Sequence, residues 1–202
     1  VWNEFEKNNS KKFKIKKILK KINIDSLKKE TINFFNLFSE YNLVPKGMCL
    51  KLHLLRGEAI DPFNKNEYEK YNKYDKRIKY KLSIEQSVIL KEVLKNSKDF
   101  RVHLLQGTTG SGKTIVYFKA IDDKLNKDLQ ALILLPEIGL TSEFEKKFKE
   151  YFGFDAAIWH SGITPKRKKI IWSGLATGKI KVVIGARSSL FLPFKKLGII
   201  IV

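Results

Sequence analysis

Cysteine is almost missing from this 202-residue chain; Cys49 stands alone. One thiol excludes a disulfide framework and any self-contained cysteine-rich zinc site. Long apolar runs are missing too. No stretch of about 18 uncharged apolar residues occurs, which excludes a membrane-spanning helix. No basic-then-apolar leader pattern opens the sequence, so a secretory signal is not expected and a cytoplasmic setting is. Arginine is scarce, with 5 against 35 lysines; 22 isoleucines and 12 asparagines accompany that bias. All three favoured types have A/T-rich codons, so genome composition accounts for lysine in place of arginine. It does not account for the shortage of acidic residues, 21 Asp+Glu against 40 Lys+Arg, which leaves a formal charge of +19 and a pI near 9.8.

An excess of that size fits a polyanionic partner, because each lysine near a phosphate releases a condensed counterion. A highly charged, solvated surface is the alternative. No single tail carries the charge: residues 1–82 hold 20 basic and 10 acidic side chains, and residues 83–202 hold 20 and 11. With 43% hydrophobic and 12% aromatic residues, the chain can bury a core, which excludes wholesale disorder. Its length suits one domain, or one domain and a fraction. The sequence opens on Val1 and closes on the apolar run Leu197–Val202 without a turn signal. The expectation is a piece of a longer protein.

Residues 1–57 alternate basic and apolar stretches. Lys11 to Lys21 reads as a basic amphipathic helix, suited to nucleic acid or a membrane surface, or simply to one core face and one solvated face. A second helix is expected from about Ser26 to Tyr41, with Phe34, Phe35, Leu37 and Phe38 inward. Pro45-Lys46-Gly47 punctuates it, and Met48 to Leu55 reads as a strand or a short helix. Residues 58–82 have little periodicity and read as a linker or loose insertion. The five tyrosines from Tyr41 to Tyr80 have the chemistry to stack on bases or to cover apolar surface.

From Ser83 strands and helices alternate. Helices are expected over Ser83–Lys95, from Gly112 to about Asn126, near Thr141–Tyr151, and from Thr164-Pro165, where threonine caps and proline takes the first helical position. Strands are expected over Arg101–Gln106, Gln130–Leu135, Asp155–Trp159, Lys181–Ile184 and Leu197–Val202. This spacing argues βαβ units on a parallel sheet, an α/β fold.

Gly107-Thr108-Thr109-Gly110-Ser111-Gly112-Lys113-Thr114 fits G-x-x-x-x-G-K-[ST] between an expected apolar strand and a helical pattern, the context the motif requires. The glycines let successive N–H groups turn inward onto phosphate oxygens, and the following helix adds its positive end. Lys113 is the ammonium for the β- and γ-phosphates, and the Thr114 hydroxyl is a ligand for the Mg²⁺ that bridges them. Binding of a nucleoside triphosphate, ATP with Mg²⁺, follows. Upstream, Ser83-Ile84-Glu85-Gln86 is either a capping box or an adenine clamp, since a glutamine amide both donates and accepts. His160-Ser161-Gly162 reads as a polar turn, with no third group to make a nucleophile. Gly185-Ala186-Arg187-Ser188-Ser189 sits at a strand's carboxyl end, where α/β sheets bind ligands; it is either a phosphate grip or an ordinary loop.

Together these segments resemble superfamily 2 helicases, and within them the replication-restart helicases of the primosome. The blocks that carry the resemblance are LSIEQ (82–86), LLQGTTGSGKTIVYF (104–118), LILLPEIGLT (132–141), WHSG (159–162) and VVIGARSSLFLPFKKLGIIIV (182–202). It covers most of 83–202 and extends more weakly to 31–57. It implies a RecA-like P-loop lobe at 83–202, incomplete, preceded by the end of a small domain that binds a DNA 3′ end (1–57) and a linker (58–82). Gln86 then contacts adenine; Ile138, Gly139, Thr141, Arg187 and Ser188 face single-stranded DNA. The implied activity is ATP-dependent 3′-to-5′ unwinding of DNA in replication restart at stalled forks. Implied partners are forked and single-stranded DNA, primosome proteins and single-strand-binding proteins, with no membrane. Another superfamily 2 DNA translocase, or a nucleotide- and DNA-binding module without turnover, is the alternative. The family places a winged-helix domain ahead of the motor, where this sequence has 25 residues between Gly57 and Ser83. Its Asp-Glu-Glu-His motif, second lobe and zinc-binding cysteines fall past Val202, so zinc is expected only there. Because those carboxylates hold the metal and activate water, the 202-residue chain by itself is expected to show no appreciable DNA-stimulated ATP hydrolysis. A phosphate-release assay checks this.

Overall fold

The structure, a computed structural model, describes residues 27–54, 65–71, 80–95, 100–136 and 142–202. Two helices come first, α1 (Lys29–Tyr41) and α2 (Lys46–His53). Next come α3 (Ile84–Leu94), α4 (Lys113–Asn126), β1 (Gln130–Leu134), α5 (Ser142–Phe152), β2 (Ala157–Trp159), α6 (Pro165–Thr177), β3 (Val182–Gly185) and β4 (Leu197–Ile201). Short 3-10 turns occupy Lys65–Tyr71 and Arg187–Phe191.

The strands form one sheet in the order β2-β3-β1-β4, and every pairing is parallel. β1 lies inside the sheet, with Leu132 opposite Val183 on one side and Ile200 on the other. A parallel strand covered on both faces is expected to be apolar; β3 is apolar throughout and β1 is apolar after its first residue, Gln130. Alternate side chains feed two cores. Ala131, Ile133, Ile158, Val182 and Ile184 meet Phe118 and Ile121 of α4 and Phe148, Tyr151 and Phe152 of α5. Leu132, Ala157, Trp159 and Val183 meet Ile171, Trp172 and Leu175 of α6 on the opposite face. The expected parallel α/β sheet with flanking helices is therefore observed, and Thr164 caps α6 through the Arg167 N–H, with Pro165 following.

Gln130, fully buried at the start of β1, holds the amino end of the sheet. Its Nε2 donates to the carbonyls of Ile180 (2.8 Å) and Leu175 (3.1 Å), and its Oε1 accepts from the Lys196 N–H (2.7 Å). One amide thus joins the end of α6 to the approaches of β3 and β4. Just before it, Asp128 takes a left-handed turn at φ 60° and pairs with Lys181 (2.6 Å) and Lys196 (3.0 Å). Hydrogen bonds from these two lysines hold its carboxyl well below the usual range.

Three expectations need correction. Arg101–Gln106 is not a strand; Phe100, Val102 and Leu104 are 80–90% exposed. An apolar segment becomes a strand only by pairing. β1 is already flanked on both sides, and among the described residues nothing pairs with the outer edge of β4. Leu37 faces solvent instead of the core, because the α1 stripe that is used runs through Phe34, Phe35 and Phe38. Within the 58–82 stretch, residues 65–71 are a turn whose Tyr68 and Tyr71 are buried against α6 and β2, so these tyrosines cover apolar surface. For Met48–Leu55, read as strand or short helix, the structure shows the helix: Met48–His53 lie in α2, which starts directly after Pro45, and Leu55 lies outside the described residues. The expected helix at Lys11–Lys21 lies outside the described residues.

Replacing Gln130 with leucine keeps the volume but takes the side-chain partner from the Ile180 carbonyl and the Lys196 N–H in a closed space, while the Leu175 carbonyl still accepts from the N–H groups of Gly178 and Lys195. Gln130→Leu is expected to cost about 2–4 kcal/mol. Urea unfolding followed by circular dichroism measures it.

Candidate nucleotide-binding and DNA-binding site

The glycine-rich loop turns as its sequence requires. Gly110 and Gly112 take φ values of 84° and 81°, a region that side chains other than glycine rarely enter. The Ser111 N–H closes the turn onto the Thr108 carbonyl at 3.3 Å. Gly112 then serves as the N-cap of α4 without any side chain to satisfy the helix's first N–H groups. Such groups, with the helix dipole behind them, attract an anion. Gly107 to Ser111 are exposed, so the loop opens to solvent.

Lys113 folds back across this loop. Its ammonium donates to the carbonyls of Gly107 (2.6 Å) and Thr108 (2.7 Å). Its positive charge thereby lies against the loop, on carbonyls that phosphate oxygens could replace. The Thr114 hydroxyl, half-buried on the first turn of α4, accepts a hydrogen bond from the Tyr117 hydroxyl at 3.2 Å. Burial raises the Tyr117 pKa, so this phenol is a donor across the physiological range. Tyr117 is a neighbour that sequence reasoning missed; the three-residue helical spacing from Thr114 was its signal.

Gln86 forms the capping box and also touches the glycine-rich loop. Its Oε1 accepts from the Ser83 N–H (3.0 Å) and the Ser83 hydroxyl accepts from the Gln86 N–H (3.1 Å), which is a complete capping box on α3. Its Nε2 donates to the Ser111 carbonyl at 3.2 Å, and a Cβ on Gly112 would lie 2.4 Å from that nitrogen. The amide therefore rests directly on the loop. One Nε2 hydrogen and one Oε1 lone pair remain for another ligand.

The sheet register sets the second surface. Trp159 and Leu134 both pair with Gly185, the Ala186 N–H donates to the Trp159 carbonyl (3.2 Å) and the Leu135 N–H donates to the Gly185 carbonyl (3.0 Å). The continuations of β1, β2 and β3 therefore leave the carboxyl edge side by side. After β2, His160 accepts the Gly162 N–H on its Nδ1 (3.1 Å), which makes this segment the polar turn that was expected. After β3, Arg187 and Ser188 are exposed while Ser189 is buried beneath them. After β1, Ile138, Gly139 and Thr141 lie outside the described residues. α4 ends within four residues of the start of β1, so its roughly 21 Å length carries the loop toward the same carboxyl edge.

The sequence profile of the DEAD/DEAH box helicases matches residues 83–202. Replication restart protein PriA of Rickettsia felis is 39% identical over 190 residues, which is 94% of this chain and 28% of that protein. PriA of Helicobacter pylori (strain 26695) is 44% identical over 121 residues, 60% of this chain and 19% of that protein. The chain thus spans less than a third of the length of these relatives. Among solved structures, RecG bound to a three-way DNA junction superposes with a TM-score of 0.55 at 26% identity, over 85% of this chain and 23% of RecG. A phosphate-ready loop ahead of a parallel sheet, together with a family match over more than half of the residues, places this chain in the DEAD/DEAH box helicase family.

Proposed function

We propose that residues 83–202 are the first, ATP-binding lobe of an ATP-dependent DNA helicase acting in replication restart, and that 27–54 end a DNA-binding module ahead of it. The observation that carries this reading is the loop at 107–114, with two left-handed glycines, an uncapped helix start and Lys113 held over it. The identity to PriA proteins of several bacteria supports the restart role. The likeness to RecG on a DNA junction supports a fork-shaped DNA substrate, and it equally suits another fork-acting translocase of superfamily 2.

In this reading the N–H groups of Gly107 to Gly112 surround the triphosphate, and Lys113 moves from the loop carbonyls to the β- and γ-phosphates. Thr114 gives one oxygen to Mg²⁺. A metal that arrives on ATP needs few protein ligands, and Thr114, half-buried and oriented by Tyr117, fits that need. Among the described residues no group of three His, Cys, Asp or Glu could hold a metal without the nucleotide. Gln86 turns its remaining donor and acceptor to the adenine edge. Single-stranded DNA crosses the carboxyl edge of the sheet at Ile138, Gly139, Thr141, Arg187 and Ser188. Movement is 3′ to 5′, in the cytoplasm, with primosome and single-strand-binding proteins as partners. No helix among the described residues is long and apolar enough to cross a membrane.

In the full-length protein, Lys113→Ala is expected to lower fork-stimulated ATP hydrolysis by about 100-fold or more while leaving DNA affinity within a few-fold. Steady-state phosphate release and fluorescence anisotropy measure the two, and unchanged hydrolysis would reject the motor reading. The two left-handed glycines separate strain from crowding. Gly112→Ala adds both a strained φ and a contact that drives Gln86 off the loop, whereas a Cβ at Gly110 meets nothing within 4 Å. Affinity for a fluorescent ATP analogue is expected to fall at least about tenfold for Gly112→Ala and clearly less for Gly110→Ala.

A further inference from the structure

The Arg187–Phe191 turn is held from below by residues that belong to neither the loop nor the sheet. Phe191 is buried among α1 and α2. Its ring lies 4.9 Å edge-on from Phe38, 5.3 Å from Phe34 and 6.0 Å, stacked, from Phe35. Its carbonyl is 2.7 Å from Nδ1 of His53, the last residue of α2. A carbonyl only accepts, so this nitrogen carries the proton and donates. Burial lowers the His53 pKa and keeps the ring neutral. Phe35 packs edge-on against the same ring at 5.3 Å. The His53 carbonyl, one of the helix-end acceptors left without an intrahelical partner, takes the Trp172 indole N–H of α6 at 2.7 Å. α2 is therefore pinned to the core of the lobe through Trp172 and to the turn through His53. Arg187 and Ser188 stand exposed on top of that turn.

We infer that the α1–α2 hairpin is a bracket that fixes the height and direction of the Arg187–Ser188 turn, with His53 and Phe191 as its positioning residues. Through this bracket the amino-terminal module sets how firmly the lobe grips a DNA strand. A displacement of the hairpin moves Phe191, and Phe191 moves Arg187 four residues away, because one short 3-10 turn links them. The inference rests on the reading above that Arg187 and Ser188 meet DNA.

The test uses the full-length protein and a fluorescein-labelled oligothymidylate. His53→Phe keeps an aromatic ring and removes the donor; His53→Asn restores a donor near the Nδ1 position. His53→Phe is expected to raise the DNA Kd about tenfold, His53→Asn to return it to within about threefold of wild type, and affinity for a fluorescent ATP analogue to stay within about twofold throughout. Arg187→Ala alone should weaken DNA binding and flatten its salt dependence by about one counterion. Adding His53→Phe to Arg187→Ala should then cost no more than about a further twofold. If Arg187→Ala leaves DNA binding unchanged, the DNA reading of the turn is wrong. If Arg187→Ala weakens binding but His53→Phe does not, or their effects multiply, the bracket is wrong and the DNA reading stands. Phe38→Leu, which loosens the cage while keeping both hydrogen bonds, guards against a misfolded His53 variant; it should raise the DNA Kd in the same direction, and an unchanged Kd counts against the bracket.

Discussion

One buried amide fixes the frame on which the rest depends. Gln130 begins β1, one of the two inner strands of the sheet, and bonds three backbone groups from the end of α6 and the approaches to β3 and β4. A parallel sheet has no hairpin turns to set its register, so each strand has to be aligned by what it meets at its ends and faces. Here the alignment is set at the amino end, and the consequences appear at the carboxyl end. Gly185 pairs with both Leu134 and Trp159, so three loops emerge together. A one-residue slip would exchange the side chains of the two cores and would also separate those loops.

The glycine-rich loop obeys a different constraint. No strand among the described residues leads into it, and the residues just before it are exposed. Its shape comes from within: two left-handed glycines, the Ser111–Thr108 turn and the Lys113 ammonium bonded to two of the loop's own carbonyls. Its position comes from α4 behind it and from Gln86 beside it. The capping box gives Gln86 a further consequence. The same amide that starts α3 also touches Ser111, so the beginning of that helix and the shape of the loop are one hydrogen-bonded unit.

How much of this was legible in the sequence varied with how local the cause was. The loop could be read residue by residue, since glycine at a left-handed position and lysine before threonine are requirements of single residues. β1 and β3 could be read because a strand buried on both faces has no polar alternation to confuse it. Arg101–Gln106 could not: its apolar residues predict burial, but strand formation needs a partner edge, and pairing is not a property of the segment. Tyr68 and Tyr71 were hidden by polar neighbours, because two buried rings in a lysine- and glutamate-rich stretch create no periodicity. The cage around Phe191 was hidden for a related reason. Its members lie at 34–38, 53 and 191, and only the tertiary fold brings such distances together.

The charge takes on a definite role once the structure is in view. The ion pairs of Lys147 with Glu143, Lys127 with Asp123 and Lys181 with Asp128 are all at the surface, where such pairs add little to stability. The cores on either side of the sheet are apolar and owe the lysines nothing. The excess of positive charge is therefore not a folding device, and it works against compactness by self-repulsion. That cost is tolerable where a polyanion offsets it during function. The two phosphate-bearing partners proposed above would draw on it differently. In the proposed function a nucleotide in the loop at 107–114 would be held by one lysine and by backbone N–H groups at short range, where salt screens weakly. A DNA strand would meet many exposed lysines at longer range, where screening is strong. On the proposed function, rising salt should then release the strand while the loop still holds its triphosphate, so that one edge of the sheet would carry a salt-sensitive grip and a salt-tolerant one.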